Sequence, residues 1–176
     1  MNRLAVLSLI TMVFLGGCTA TKSYSQIILE IAEESLSDWE LTDSPQEIPE
    51  FHHPTRGDSF VRGSNADFKQ GYDTLEIIFM EFDNPEAPQQ IVGEIMATTE
   101  SKYTSIAPLP DDCHGLSERM GRMGSVELGT TTETIDVQNV YCITGNLMTY
   151  IKSTAPPGTV SMNEISNKIL SHVRET

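Results

Sequence analysis

The chain has 176 residues, 39% of them hydrophobic, with 25 Asp and Glu against 11 Lys and Arg and a formal charge of −14. That length supports one domain with its own core. The acidity argues against nucleic acid, whose binding rests on Lys and Arg neutralising phosphates, and against adsorption to anionic headgroups by charge; a basic partner, divalent cations or simple solubility suits it.

Asn2 and Arg3 form a weakly cationic start, and Leu4 to Leu15 is an uncharged, mostly apolar run of 12 residues. A bilayer span needs about 20, so the run reads as an export signal, with Gly16 and Gly17 opening a protease site before Cys18. Leu15-Gly16-Gly17-Cys18 resembles the lipobox of bacterial lipoproteins, over residues 1–18 only. The resemblance implies that residues 1–17 are removed and that Cys18 carries a diacylglyceryl thioether and an acylated amine; a plain signal peptide with an incidental cysteine is the other reading. Each buried acyl methylene is worth about 0.8 kcal/mol, so several chains make attachment effectively permanent. Thr19 follows, where Asp would retain a resembling enterobacterial protein at the inner membrane. The expected address is therefore the outer membrane, facing the periplasm, with facing outward as the alternative. The remaining 159 residues hold all 25 acids and all basic residues but Arg3, a charge of −15.

Residues 18–25 read as an acylated tether and 26–176 as a single domain. Ser23 and Gln26 fit a capping box opening a helix of about 16 residues, with Ile28, Ile31, Ser35 and Trp39 on one stripe broadened by Ile27, Ala32 and Leu36. The stripe is expected to pack on the domain's own sheet. Glu30, Glu33 and Glu34 on the outer side are the candidate acidic face for a basic protein partner. Asp43 to Gly57, with Pro45, Pro49 and Pro54, reads as loop. Ser59 to Arg62 suits a short strand, and Asn65 to Tyr72 gives mixed signals.

Thr74 to Phe82 is apolar on both faces, the mark of a strand covered on both sides. Alternation of Ile91, Gly93, Ile95 and Ala97 predicts a second strand over Gln90 to Thr98 and a hairpin. Lys102 to Asp112 reads as loop, Gly115 to Met123 as one or two helical turns weakened by Gly121, and Val126 to Ile135 and Val137 to Thr144 as strands. Gly145-Asn146 predicts a two-residue turn into Leu147 to Ser153. Ser161 and Glu164 then cap a last helix facing inward through Met162, Ile165, Ile169 and Val173. The order predicts an α+β fold: a mainly antiparallel sheet with N-terminal and C-terminal helices packed on it.

With Cys18 lipidated, Cys113 and Cys142 remain, an even pair in an oxidising compartment. They read as a disulfide closing a 30-residue loop; a reactive or metal-binding thiol pair is the alternative, against which the lack of Cys-x-x-Cys counts. His52-His53, with Asp58 nearby, lacks the spacing that puts metal ligands on one helix face. Asp111, Asp112, Cys113 and His114 form a dense polar cluster, but adjacent residues rarely aim an imidazole at a sulfur, and the EF-hand pattern is missing. Arg119, Met120, Arg122 and Met123 make a basic and apolar island, expected to be buried methionines with solvated arginines; an interface is the other reading. No nucleophile elbow, P-loop or dinucleotide fingerprint occurs, and no cofactor or metal is expected. These features predict a non-enzymatic, membrane-anchored lipoprotein with a binding or envelope or secretion-assembly role, of the general kind of secretion pilotins by analogy. An inhibitor or immunity protein against a basic toxin, and a small hydrolase with a dispersed carboxylate site, are the alternatives.

Overall fold

The computed structural model describes residues 22–51, 59–99, 102–126 and 129–174. Ser23 opens helix α1 (Tyr24–Ser35) with the expected capping box: its hydroxyl accepts from the Gln26 backbone N–H at 3.3 Å, and Gln26 Oε1 accepts from the Ser23 N–H at 2.9 Å. The helix stops four residues short of the expected Trp39. The chain turns at Leu36, whose N–H still reaches Ala32 O, with Trp39 N–H donating to Leu36 O.

Among the described residues eight antiparallel strands and two more helices follow in chain order: β1 (Glu40–Leu41), β2 (Gln46–Ile48), β3 (Phe60–Gln70), β4 (Asp73–Phe82), α2 (Glu86–Thr98), β5 (Thr104–Ser105), β6 (Cys113–Val126), β7 (Gly129–Thr144), β8 (Leu147–Ala155) and α3 (Met162–Arg174). The sheet order is β1-β3-β4-β8-β7-β6-β5, with β2 also pairing β3. This is an α+β fold.

β4 lies inside the sheet between β3 and β8, and its two-sided apolar pattern is used on both sides. Leu75, Ile77 and Phe79 are buried with Ile27, Ile28 and Ile31 of α1 and Ile165, Ile169 and Leu170 of α3. Met80 and Phe82 are buried on the other side with Ala87, Ile91 and Val92 of α2. Tyr24 ties α1 to β4: its ring stacks on Phe79 at 5.5 Å, its hydroxyl donates to Glu81 at 2.8 Å, and Arg62 donates to the same carboxylate at 2.5 Å while lying over the Tyr24 ring.

Two expected elements are of the other type. The strand and hairpin expected over Gln90 to Thr98 is helix α2. Ala87, Ile91, Val92 and Ile95 fall on one helical stripe, and Asn84 Oδ1 accepts from the Glu86 and Ala87 N–H groups; the alternation of Ile91, Gly93, Ile95 and Ala97 is incidental. The helical turns expected over Gly115 to Met123 are part of β6, which pairs with β7 in unbroken register from Cys113↔Cys142 to Val126↔Gly129. Gly115 and Gly121 oppose a helix, and a long neighbouring ladder decides the outcome. The stretch from Asn65 to Gln70 completes β3. β7 meets β8 only from Asp136 onward, so the β6–β7 ribbon runs on past the end of the sheet. Gly145, at φ 60°, makes the expected turn into β8.

A candidate binding cleft on the half-covered sheet face

α1 and α3 cover one sheet face, whereas α2 covers only the end of the other face nearest Met80, Phe82 and Met148. Strand register orders what lies at its margin, where Ile78, Tyr141 and Tyr150 still pack against the α2 cluster, and beyond. Asn65, Ile78, Tyr150 and Tyr141 form one row across the sheet, and Asp67, Glu76, Lys152 and Asn139 form the next. A cleft of about 350 Å³ opens there, between the last turn of α2 (Ile95, Thr98, Thr99), Lys102 and Tyr103, and the strand residues Leu116, Asn139 and Tyr141.

Tyr141 and Tyr150 stack with ring centroids 5.1 Å apart, and the Tyr150 hydroxyl donates to Asn139 Oδ1 at 2.8 Å. With that oxygen taken, the Asn139 amide nitrogen is the donor it presents. Burial pushes both phenols above the usual tyrosine range, Tyr103 adding to the effect on Tyr141 and Tyr141 to that on Tyr150. Both hydroxyls are therefore protonated at neutral pH. Lys102 pairs with Glu118 at 3.2 Å and sits 5.1 Å from the Tyr103 ring centre. Glu76 is raised above the usual carboxylate range by burial and by Asp67, with Lys152 opposing. The cleft thus offers aromatic faces, neutral donors and compensated charges.

Sequence-selected residues are distributed elsewhere. Cys113 and Cys142 form a disulfide across β6 and β7. Glu30 pairs with Lys22 at 2.8 Å, and Glu30 and Glu34 flank the two nitrogens of His172 at 3.4 Å each; Lys168 lies 3.6 Å from Glu34, and Glu33 is exposed. Asp112 pairs with Arg174 at 2.6 Å, and His114 is exposed beside the Cys113 bridge. Arg119 pairs with Asp136 at 3.0 Å, and Met120 is exposed, against the expected burial, because it lies on the part of β6 that has only β7 beside it. Cys18, His52, His53, Asp58 and the side chains of Arg122 and Met123 lie outside the described residues. Among the described residues no group of three or more His, Cys, Asp or Glu is placed to hold a metal ion, and no helix is long and apolar enough to cross a membrane.

None of the cleft residues was singled out from the sequence. One sequence signal points to part of it: a two-residue turn at Gly145-Asn146 sets Tyr141 opposite Tyr150, with Asn139 two residues away on the same face.

The chain matches no family model, and no characterised protein resembles it in sequence at a significant level. Its fold is similar to that of the extracellular domain of PknH from Mycobacterium tuberculosis, at 8% identity and a TM-score of 0.51, covering 88% of this chain and 93% of that one. An uncharacterised protein of Mycobacterium smegmatis gives 10% identity and a TM-score of 0.45 over 88% of this chain and 98% of that one.

Proposed function

We propose that this chain is a lipid-anchored envelope protein whose domain is a non-enzymatic binding module, held at the outer membrane and facing the periplasm. The observation that carries the binding role is the cleft at Tyr103, Asn139 and Tyr141: a concave surface where aromatic side chains converge with neutral donors, as they do in ligand sites. The Leu15-Gly16-Gly17-Cys18 sequence supports the anchor, and Thr19 supports the outer membrane. The Cys113–Cys142 bridge suits an oxidising compartment, and the fold is one that an extracellular domain also uses. The acidic outer side of α1 is the weaker candidate for the binding surface, because Glu30 and Glu34 already have Lys22, Lys168 and His172 beside them.

Two experiments on cells test the reading. Labelling with a fatty-acid analogue should mark the parent protein and leave Cys18→Ser unlabelled; equal labelling removes the anchor. A photo-crosslinking residue at Tyr103 should yield an adduct that the same residue at Tyr72, on the far β3–β4 turn, does not; identical patterns at both positions remove the cleft as a binding site.

A further inference from the structure

The geometry points to a saccharide chain as the ligand of the cleft, an inference that rests on the binding-module reading above. Charge narrows the ligand first. Lys102 faces Glu118, and Lys152 lies opposite both Glu76 and Asn139 in the register, so no cluster of surplus cations waits for a phosphate or sulfate. The acids are spread out and not gathered for a polycation: Glu118 is paired with Lys102, Glu76 lies opposite Lys152, and Asp67 stands at the far end of the row. A purely apolar ligand would leave the Asn139 amide N–H groups and the hydroxyls of Tyr103 and Tyr141 without partners in a drying cleft, which is costly. The ligand that remains is neutral and rich in hydroxyls, with apolar patches.

A pyranose ring has that surface. Its axial C–H groups lie flat on an aromatic face, and its ring of hydroxyls meets donors and acceptors around the edge. Tyr103 and Tyr141 supply the aromatic surface, and Asn139 is the planar amide beside them. A volume of about 350 Å³ lies near the lower end of small-molecule sites and suits about one or two sugar rings. The row of Asn139, Lys152, Glu76 and Asp67 continues from the cleft across the sheet face, giving a longer chain further polar partners. Amino-sugar polymers and neutral hexose polymers share this chemistry.

The full-length acylated protein in detergent micelles is titrated with a trisaccharide of N-acetylglucosamine, a trisaccharide of glucose and a trilysine peptide, followed by saturation-transfer NMR and tyrosine fluorescence. At least one trisaccharide should bind, with little dependence on salt; whichever binds assigns the amino-sugar or the hexose source. Tyr141→Ala should weaken that binding by at least about tenfold and Tyr141→Phe by much less, because the ring face supplies most of the contact, while Tyr72→Ala should bind as the parent does. If Tyr141→Ala fails to fold, Tyr103→Ala and Asn139→Ala serve in its place. Failure of both trisaccharides, or binding that survives Tyr103→Ala and Asn139→Ala in folded protein, overturns the inference. Binding of trilysine alone, or a protein adduct at position 103 with neither trisaccharide bound, overturns the saccharide while leaving the binding module standing. Failure of every probe together with no position-specific adduct overturns both.

Discussion

Cys113 and Cys142 face each other directly across the β6–β7 ladder, their Cα atoms 4.1 Å apart and their sulfurs bonded. The Ile143 N–H donates to Asp112 O at 2.9 Å, so the two cysteines occupy a non-hydrogen-bonded pair, the position at which antiparallel Cα atoms come closest. The bridge fastens the start of β6 to the sheet where the long loop from Tyr103 enters. That loop forms one wall of the cleft.

Removing the bridge should therefore act on stability and on the cleft together. Cys113→Ala with Cys142→Ala frees a loop 29 residues in separation, which the chain-entropy model values at about 3–4 kcal/mol. Denaturant unfolding of the double variant should show a loss of this order. Amide exchange should quicken at Cys113 and Ile143, whose N–H groups bond to Pro110 O and Asp112 O. Unchanged midpoint and exchange would mean that the β6–β7 ladder alone holds this corner.

Glu81 gives a pH signature. Burial works to raise its carboxyl, but hydrogen bonds from Arg62 and Tyr24 outweigh that and hold it below the ordinary 4.5. A depressed folded-state value adds stability that is present above pH 4.5 and is lost as pH falls through the folded value. The parent should lose stability through this acid range more steeply than Glu81→Gln. Arg62 is 63% exposed, so solvent screening keeps its share of the effect small, of the order of a surface pair at about 0–1 kcal/mol. Parallel acid profiles for parent and variant would remove Glu81 as a source of acid sensitivity.

The elements that were legible from sequence are those whose local signal and tertiary placement agree. Ser23 and Gln26 do open α1, the two-sided apolar run of β4 does lie inside the sheet, and Gly145-Asn146 does turn β7 into β8. The misread elements are those where two periods fit the same residues or where a neighbour decides. In α2, Ile91 and Ile95 satisfy both an alternating and a helical pattern, and the Asn84 hydrogen bonds at its start choose the helix. In β6, glycines and scattered Arg and Met carry no clear period, and fourteen register pairs with β7 supply the order. The cleft was invisible for a different reason: Tyr103, Leu116, Asn139 and the end of α2 are distant in sequence and meet only after the sheet has formed.

Two glycines should respond to alanine in opposite directions. A Cβ on Gly63 would stand 2.5 Å from Phe79 O, a backbone atom of the neighbouring strand, and 3.3 Å from the Phe60 ring. Backbone in a central ladder cannot step aside cheaply, so Gly63→Ala should destabilise by about 1–3 kcal/mol. Gly93 lies inside α2 with nothing within 4 Å of its added Cβ, so Gly93→Ala should stabilise by about 0.5–1 kcal/mol. Thermal unfolding of the two variants gives the signs directly, and a neutral Gly63→Ala would show that β3 and β4 can separate locally at that point.

The phenols provide a test of the cleft that needs no ligand. Burial raises Tyr150, Tyr141 and Tyr24, the last to about 12. A tyrosine raised above its ordinary 10 in the folded state adds stability that is complete below pH 10 and is lost as pH climbs toward the folded value, because the unfolded chain ionises first. An ultraviolet titration of the native protein should therefore show a late group of tyrosines, which denaturant merges into a single transition near pH 10. Tyr150→Phe should remove one member of that late group and leave Asn139 Oδ1 without its donor at 2.8 Å, at a cost of about 1 kcal/mol. It keeps the ring stacked on Tyr141, so the cleft wall should stay in place while the amide of Asn139 loses its fixed orientation. Any ligand bound through that amide should then weaken although the ring surface is intact. A late group that keeps its full amplitude in Tyr150→Phe would mean that Tyr150 is not among the shielded phenols and that the row beneath the cleft is open to water.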